Sequence, residues 1–311
     1  MKKKIAIVVG EPRSINSEII CKAWKRINNN LKNNILFIGS FNLLKTQAKK
    51  IDNKIKINKI IKFSDFSNNQ INILDVYYDK KNNSKYVLDS LTLAHNLSIK
   101  KKIIGFINCP IDKKIFKEKI GVTEYLSKKN KLKKTSVMMI YNKNFSVVPI
   151  TTHINVSKIS KSLNQKLIID KVTTLSGSYL ELFKKQPKIA VLGLNPHNDE
   201  MRTDSEEIKI IMPSIKKLKD RKINVHGPFS TDSIFLTNNY KKYDVVVGMY
   251  HDQVLGPFKA LFGLDAINIT LGLKYFRSSP DHGTAKELIG KNLASPISLI
   301  NAINFANKFK C

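Results

Sequence analysis

The chain has 311 residues, 42% of them hydrophobic, so it is long enough for one large or two medium globular domains and too apolar to be disordered. It carries 54 Lys and Arg against 24 Asp and Glu, a formal net charge of +30. The basic residues are spread along the whole chain and are not interleaved with aromatic residues. This pattern predicts a solvated basic surface that attracts phosphorylated substrates, and it argues against a nucleic-acid partner.

Composition also bears on the cellular location. No stretch approaches the roughly 20 apolar residues of a membrane span, and the apolar run in MKKKIAIVVGEP is too short for a signal peptide, so it is interpreted as a first buried strand. The three cysteines, Cys21, Cys109 and Cys311, show no paired spacing. They predict neither disulfides nor a thiolate metal site. We therefore expect a cytoplasmic protein with no membrane partner.

Short β-branched runs alternate with amphipathic stretches, a pattern typical of an α/β fold with a mainly parallel sheet. The predicted strands, in chain order, are Ile5–Val9, Ile35–Ile38, Ile103–Ile107, Ser136–Tyr141, Phe145–Pro149, Ile189–Leu192 and Val245–Met249. The clearest predicted helices are Ser17–Ile27, Glu206–Lys219 and Pro296–Phe309. The Asn- and Lys-rich segment Lys45–Asn83 is expected to be the least regular part of the chain and a variable periphery.

Two of these strands are close enough in sequence to form a hairpin. Only the polar turn Asn142–Asn144 separates Ser136–Tyr141 from Phe145–Pro149, which is too short for a parallel crossover. Either a mixed sheet or a second subdomain that begins near residue 130 would explain this hairpin.

Three histidines each follow a predicted strand: His153 after SVVPITT, His197 after KIAVLGLNP and His251 after YDVVVGMY. The carboxyl ends of strands are where open α/β sheets bind ligands. A single histidine in such a place is more often structural, but three in equivalent positions predict three imidazoles around one ion with an open fourth position. That arrangement is typical of a catalytic metal site.

Polar residues next to these histidines could hold the imidazole rings. Asp252 and Gln253 follow His251, Asn195 precedes His197, and Asp232 lies in GPFSTDSIF. Metal-bound imidazoles need such hydrogen-bond partners to fix their orientation. A solvated loop carboxylate is the simpler interpretation of Asp232.

The stretch from Asp244 to Thr284 is rich in groups that bind anions. It contains Lys259, Asn268 and Arg277, and a lysine, an amide and an arginine together could clamp a phosphate. Because lysine is abundant throughout the chain, Lys259 alone would carry no weight.

Eight segments, in this order and spacing, resemble one family: GEPRSINSEI, NCPIDKK, GVTEYL, TTH, GLNPH, GPFSTDSIF, MYHDQVLGPFK and NITLGLKYFRSSPDHGTA. They are similar to the 4-hydroxythreonine-4-phosphate dehydrogenases of vitamin B6 biosynthesis, the PdxA family. The resemblance runs from about Gly10 to Ala302. TTH, GLNPH and YHDQ are specific together, although none of them would be alone.

The resemblance implies an oxidoreductase of pyridoxine biosynthesis. The enzyme would oxidise 4-phosphooxy-L-threonine to 2-amino-3-oxo-4-phosphooxybutanoate with NAD or NADP, and the product would decarboxylate to 3-amino-2-oxopropyl phosphate. A divalent metal, zinc, magnesium or cobalt, would assist. The family's fold is similar to that of isocitrate and isopropylmalate dehydrogenases, with two α/β/α lobes, a mixed and mostly parallel sheet, and a cleft between the lobes.

Two further expectations concern the lobes and their assembly. We expect one lobe from residues 1–130 with 266–311, and a second lobe, carrying the metal-ligand histidines, from residues 131–265. The resemblance also implies a homodimer whose active site lies near the subunit interface.

Residue roles follow from the same resemblance. His153, His197 and His251 match metal ligands, and the residues that match substrate contacts are Thr123, Lys259, Asn268 and Arg277. Asp232 matches an acidic position of the family. Lys259 and Lys113 are candidates for the group that takes the hydroxyl proton, alongside solvent. No GxGxxG follows the first strand, which argues against a Rossmann domain and leaves the cofactor contacts unassigned.

One departure from the family pattern keeps other functions open. The family's Gly-His-Thr-Glu reads Gly121-Val122-Thr123-Glu124 here, so an apolar valine replaces a histidine expected to contact substrate. The first alternative is therefore a related dehydrogenase acting on another phosphorylated hydroxy acid, such as a four-carbon aldonate phosphate. A catalytically inactive basic binding protein is the second alternative.

Overall fold

The computed structural model describes residues 4–116, 121–130, 135–263 and 265–308, apart from the side chains of Lys113 and Thr237. The strands in these residues are β1 Lys4–Val8, β2 Ile35–Gly39, β3 Ile57–Ile60, β4 Ile71–Asp75, β5 Ile103–Asn108, β6 Val137–Asn142, β7 Phe145–Pro149, β8 Ile189–Leu192, β9 Val225–Phe229, β10 Val245–Gly248, β11 Ile267–Leu271 and β12 Phe276–Pro280. The helices are α1 Asn16–Arg26, α2 Asn29–Lys32, α3 Phe41–Ile51, α4 Asn83–Ile99, α5 Val122–Asn130, α6 Ile159–Ser162, α7 Gln165–Phe183, α8 Met212–Asp220, α9 Thr231–Phe235, α10 His251–Phe262 and α11 Ile297–Asn307.

The chain divides into two compact units. Unit 1 comprises residues 1–122, 264–267 and 274–311, and unit 2 comprises residues 123–263 and 268–273. Within unit 1 the strands lie in the order β3-β4-β2-β1-β5-β12. Every neighbouring pair in this order is parallel. Both faces of such a sheet are covered, so β2 reads as the unbroken apolar run ILFIG and is buried throughout.

Unit 2 has a mixed sheet. Its strands lie in the order β11-β6-β7-β10-β8-β9. The β6–β7 pair is an antiparallel hairpin in which Tyr141 lies opposite Ser146, while β7–β10, β10–β8 and β8–β9 are parallel. The central strands β10 and β8 are fully buried. Because they are parallel, their carboxyl ends lie at the same edge of the sheet.

Asparagine and serine side chains begin several of the helices. The side-chain oxygen of Asn82 accepts from the Lys85 backbone N–H at the start of α4, and that of Asn164 accepts from Leu167 N at the start of α7. Ser40 caps α3 in the same way. These bonds satisfy backbone donors that a helix leaves unpaired in its first turn. Some of the chain's many asparagines thus act as N-terminal caps of helices.

The mixed, mostly parallel α/β fold expected from the sequence is confirmed, and so is the hairpin. The seven predicted strands all form, each within about a residue of its expected ends. The segment Lys45–Asn83 is more regular than expected, because it contains β3, β4 and the end of α3, and β3 is the outermost strand of unit 1. The end of the predicted C-terminal helix, at Phe309, lies outside the described residues. The proposed lobe boundaries stay a prediction.

Two observations concern the cysteines and the helices. Cys21 and Cys109 are buried and unpaired, and burial raises the pKa of the Cys21 thiol to about 12. Cys311 lies outside the described residues. None of the helices that the structure describes is both long and apolar enough to span a membrane.

Candidate active site

Unit 2 brings the three strand-end histidines to one edge of its sheet. His153 follows β7 by four residues, His197 follows β8 by five, and His251 follows β10 by three as the first residue of α10. The three strands are adjacent and parallel, with β10 between β7 and β8. Their side chains therefore lie where an open α/β sheet presents its ligand-binding loops.

His153 and His251 lie side by side. Their ring centroids are 5.7 Å apart. The Asp252 carboxylate lies 2.6 Å from His251 Nδ1, which makes it the acceptor for the proton on that nitrogen. His251 Nε2 then carries the lone pair that a ligand or metal ion would bind. The prediction that Asp252 orients this ring agrees with the contact.

His197 has a different partner. Its Nε2 lies 3.5 Å from Asp232 Oδ2, and its side chain is 73% exposed. Asp232 Oδ1 accepts from the Ser230 hydroxyl and from the Ser233 backbone N–H. The hydrogen bond from the Ser230 hydroxyl, and to a smaller extent the one from the Ser233 backbone N–H, hold the pKa of the Asp232 carboxyl below its usual value. Asp232 is therefore an anion near neutral pH and an acceptor for His197.

The backbone that carries His197 turns in an unusual direction. Five consecutive residues, His197–Met201, have φ between 49° and 58°. This is the left-handed region, which costs roughly 1–2 kcal/mol per non-glycine residue. The segment NDEM has no glycine to reduce that cost, so neighbouring groups must hold it.

Glu207 holds the residues just before this turn. Its side chain is fully buried at the start of a π-helical turn, Glu207–Ile211, that leads into α8. Its Oε1 accepts from the backbone N–H of Leu194 at 2.6 Å and of Asn195 at 2.9 Å, and its Oε2 accepts from Asn195 Nδ2 at 3.0 Å. The carboxylate thus fixes the GLNPH segment. Asn195, expected to support an imidazole, instead binds Glu207 and Glu206.

The chemistry of this set fits a divalent cation. Two imidazoles about 5.7 Å apart between centroids can share one ion, because each nitrogen lies about 2.1 Å from a bound zinc. Among the described residues, no group of three or more His, Cys, Asp or Glu side chains is close enough to hold one metal ion. His197 is turned toward Asp232, so it would have to reorient to join the other two imidazoles around one ion.

The candidate substrate contacts of unit 2 lie on three elements. Thr123 is in the first turn of α5, and its hydroxyl lies 3.1 Å from that of Thr270. Asn268 is in β11, and its side-chain oxygen is buried without a hydrogen-bond partner among the described residues. Lys259, half-buried, is on α10 two turns after His251. An orphaned buried acceptor is uncommon, and it suggests that a ligand completes its hydrogen bonding.

Unit 1 carries the other two candidates. Arg277 in β12 is 3% exposed and donates from Nε and Nη2 to Asn108 Oδ1, at 2.8 and 2.6 Å. Asn108 ends β5, the neighbour of β12, so the Arg277 side chain reaches from the start of β12 to the carboxyl end of β5. The backbone of Lys113 belongs to a short 3₁₀ turn, Lys113–Ile115, and its side chain lies outside the described part of the chain.

Each unit also has a cavity of small-molecule size. The cavity in unit 2, about 400 Å³, is lined by Leu194, Asn195, Pro196, His197, Ser230, Thr231, Asp232, Phe235, Tyr250, Gln253 and Pro257. The cavity in unit 1, about 490 Å³, is lined by Ser14, Ile15, Ser17, Glu18, Gln47, Lys50, Ile51, Ile289, Gly290 and Asn292. Both volumes lie within the range of ligand pockets. The first includes His197 and Asp232, and the second is large enough for a nucleoside.

Known proteins match this chain along nearly its whole length. The family model described as "Pyridoxal phosphate biosynthetic protein PdxA" matches residues 30–306. The 4-hydroxythreonine-4-phosphate dehydrogenase of Sulfurihydrogenibium sp. (strain YO3AOP1) is 36% identical over 318 residues, covering 97% of each chain. The chain belongs to the PdxA family. The dehydrogenase of the same name from Aquifex aeolicus (strain VF5) is 34% identical over 315 residues, again covering 97% of each chain.

Solved structures of the PdxA family have the same fold. The 4-hydroxythreonine-4-phosphate dehydrogenase of Klebsiella pneumoniae superposes with a TM-score of 0.84 at 27% identity, covering 98% of this chain and 99% of that one. The corresponding enzyme of Burkholderia phymatum gives a TM-score of 0.79 at 26% identity, with 97% of each chain covered. The family resemblance inferred from the eight sequence segments is confirmed.

Sequence reasoning missed how the PdxA segments are held together. Glu207 gave no signal beyond the acidic pair at the start of a predicted helix, since its role depends on contacts with residues 12 and 13 positions away. Gln253 was expected to support an imidazole, but its side chain binds the backbone of other segments instead. Both roles depend on tertiary contacts that neither periodicity nor motif spacing reveals.

Proposed function

We propose that this chain is a 4-hydroxythreonine-4-phosphate dehydrogenase of pyridoxal phosphate biosynthesis. It oxidises the secondary hydroxyl of 4-phosphooxy-L-threonine to a ketone, transferring a hydride to NAD or NADP and a proton to a base. The resulting 2-amino-3-oxo-4-phosphooxybutanoate loses its carboxylate as carbon dioxide and takes up a proton to give 3-amino-2-oxopropyl phosphate.

The observation that carries the proposal is the delivery of three imidazoles to one sheet edge by β7, β8 and β10. Family membership supports it, because the curated relatives that cover nearly the whole chain are dehydrogenases of this name. The strand-end placement gives His153, His197 and His251 a shared location that a purely structural role would not require.

We assign the three histidines to one divalent cation, zinc, magnesium or cobalt. When bound, the ion would polarise the substrate hydroxyl and then the ketone, lowering the barriers to hydride loss and decarboxylation. Asp252 accepts the Nδ1 proton of His251 and so keeps its Nε2 free for binding. Asp232, held as an anion by Ser230, gives His197 the same kind of partner.

Lys259 is the proposed acceptor of the hydroxyl proton. The rise along α10 from His251 to Lys259 is about 12 Å, and a lysine side chain leans back toward the helix N-terminus by about half that distance. Lys259 shares unit 2 with the histidines, and Lys113 is the alternative from unit 1. Thr123, Asn268 and Arg277 are proposed to bind the polar groups of the substrate. Asn268 would do so through a buried side-chain oxygen that has no hydrogen-bond partner in the described part of the chain.

We further propose that the working molecule is a homodimer with its active site near the subunit interface, and that the two lobes correspond to residues 1–130 with 266–311 and residues 131–265. The basic surface, with its net charge of +30, favours a small anionic substrate by raising its local concentration.

A second candidate substrate is favoured by Val122. This residue begins α5, directly before Thr123, and its side chain offers no hydrogen bond where the family resemblance implies a histidine. The loss of a bond to a charged group costs about 1.5–3 kcal/mol. A phosphorylated four-carbon aldonate, which lacks the amino group, is the corresponding alternative.

Turnover of both substrates tests the proposal. The purified chain is incubated with 4-phosphooxy-L-threonine or 4-phosphoerythronate, with NAD or NADP and with zinc, magnesium or cobalt, and reduced nicotinamide is followed by absorbance. We expect turnover of the threonine derivative and its loss by about 100-fold or more when His153 or His251 is replaced by alanine. Turnover of the aldonate alone would establish the second candidate, and inactivity on both would refute dehydrogenation of this class.

A further inference from the structure

One buried amide connects the three segments of unit 2 that carry His251, His197 and Asp232. Gln253 lies in the first turn of α10 and is 5% exposed. Its Oε1 accepts from the Met249 backbone N–H at 2.6 Å. Its Nε2 donates to the Gly193 carbonyl at 2.7 Å and to the Thr231 hydroxyl at 2.8 Å. The side chain is therefore fully used in bonds to other segments.

Each of these partners is close in sequence to a site residue. Met249 follows β10 and precedes His251 by two residues, and Gly193 follows β8 and precedes His197 by four. Thr231 begins α9 and is the neighbour of Asp232. Gln253 thus hydrogen-bonds to the residues beside His251, His197 and Asp232.

Two glycines make room for this arrangement. A Cβ on Gly248 would lie 2.8 Å from Gln253 Oε1 and 2.5 Å from a Val254 methyl group, and a Cβ on Gly193 would lie 2.1 Å from Asn198 Oδ1. At these distances a side chain in either position would force the contacting groups, Gln253 and Val254 at one and Asn198 at the other, to move. Glycine at these two strand ends therefore lets the Gln253 amide and the Asn198 side chain pack closely against the backbone.

A single amide satisfies all three partners without a change of protonation. The Met249 N–H needs an acceptor and the Gly193 carbonyl needs a donor. The oxygen and the nitrogen of the Gln253 amide supply one of each. An ionised glutamate of the same shape would offer no donor to that carbonyl, and a methionine would offer neither bond. The choice of glutamine is thus explained by the positions of backbone groups from two strand ends.

We infer that Gln253 is a positioning residue of the active site, which keeps the segments of His197, Asp232 and His251 in a fixed arrangement so that the imidazoles can converge on one ion. The inference rests on the proposed function. Groups that support metal ligands in this indirect way typically contribute 10- to 100-fold to metal affinity or activity.

The test compares two variants with a matched control. Gln253→Glu keeps the side-chain shape and, measured at an alkaline pH where the carboxyl is ionised, removes the donor. Thr231→Val removes one of the three bonds and leaves the other two. Asn142→Asp is the control, because it makes the same amide-to-acid change at a residue that is 4% exposed and ends β6 in the hairpin turn. That turn lies at the opposite end of β7 from His153.

Two readouts are measured on each variant of the full chain. The first is the affinity for Co²⁺ with its ligand-field absorption spectrum, which needs no turnover. The second is kcat and KM for 4-phosphooxy-L-threonine. We expect Gln253→Glu to bind Co²⁺ about 10- to 100-fold more weakly, with an altered spectrum and lower kcat. Thr231→Val should lose about two- to tenfold, and Asn142→Asp should keep both the affinity and the spectrum.

The outcomes separate this inference from the proposed function. Normal Co²⁺ affinity, spectrum and kcat in Gln253→Glu, in a chain that is otherwise active, would overturn the inference alone. An equal loss in Asn142→Asp would also overturn it, since the effect would then be general destabilisation. If Gln253→Glu does not fold, Thr231→Val decides by the same criteria. Failure of the unaltered chain to bind Co²⁺ or oxidise substrate would refute the proposed function, and the inference with it.

Discussion

The buried carboxylate of Glu207 is expected to be the main support of the GLNPH segment, and replacing it with glutamine tests this. Glu207→Gln keeps the size of the side chain but turns two charge-assisted bonds, from Leu194 N and Asn195 N, into neutral ones. It also places an NH₂ group against Asn195 Nδ2. Bonds to a charged group contribute about 1.5–3 kcal/mol and neutral ones about 0.5–1.5 kcal/mol.

These values give a gross loss of about 4 kcal/mol, from about 1 kcal/mol at each weakened bond and about 2 kcal/mol at the lost one. Removing a charge from a fully buried position offsets part of this loss. We therefore expect Glu207→Gln to lower the free energy of unfolding of unit 2 by about 2–3 kcal/mol.

The assay must report on unit 2. The single tryptophan, Trp24, lies in unit 1, so its fluorescence does not follow the relevant transition. Urea unfolding by circular dichroism, with hydrogen exchange of the amides of Leu194 and Asn195, reports the change directly.

The matched control is the neighbouring residue. Glu206→Gln makes the same chemical change in a partly exposed side chain that binds Ser160 and Asn195 Nδ2, and it should cost less than about 1 kcal/mol. Equal effects of the two substitutions, or unchanged exchange at Leu194 and Asn195 in Glu207→Gln, would refute the assignment of Glu207 as the support of this segment.

Three further predictions concern stability. Lys184 ends α7 in the left-handed region, with φ 56°, so Lys184→Gly should raise the free energy of unfolding by about 0.5–1 kcal/mol, measured by urea unfolding. A Cβ on Gly105 in β5 would lie 1.9 Å from the Phe276 carbonyl oxygen, so Gly105→Ala should lower the free energy of unfolding by about 3 kcal/mol or more. A Cβ on Gly177, in the middle of α7, would meet no atom of the described residues within 4 Å, so Gly177→Ala should raise the free energy of unfolding by up to about 1 kcal/mol. Similar melting temperatures for the two variants would contradict this. Burial raises the pKa of the Glu11 carboxyl above its ordinary value of 4.5. The native state therefore keeps this proton at a higher pH than the unfolded chain does. The contribution of Glu11 to stability falls as the pH rises from 4.5 through the raised pKa. Glu11→Gln should remove that fall, seen as a flatter dependence of the urea midpoint on pH, and an unchanged slope would show that another group causes it.

The sequence predicted what depends on local pattern. Apolar runs between turns located the central strands, and three of those strands placed their histidines at one sheet edge. The strands in the segment Lys45–Asn83 were not predicted, because β3 and β4 carry asparagines that are buried only when other residues hydrogen-bond to them. Asn72 is fully buried and accepts from Asn58 Nδ2 and Ser67 N, so a residue typical of loops sits inside the sheet.

The site was predicted in outline and not in its supports. The candidate histidines were named from their places after predicted strands, and Asn268 and Arg277 from the family resemblance. The strands β11 and β12, which carry the last two, were interpreted as turn-like because their polar residues interrupt the apolar pattern. Other features of the site depend on segments that meet only after folding. These are the turn of His197 toward Asp232 and the hydrogen bonds of Glu207 and Gln253.

The interrupted path of unit 1 has a consequence for how the protein forms during synthesis. β5 pairs with β12 through Gly105 and Phe276, roughly 170 positions apart, and α11 packs on α1 and β12. Most of unit 2, by contrast, comes from the uninterrupted stretch 123–263. Chains leave the ribosome from the N-terminus, and domains generally fold as units. The half of this protein that is translated first is therefore the half completed last, and the open edge of β5 must stay soluble until the final forty or so residues arrive.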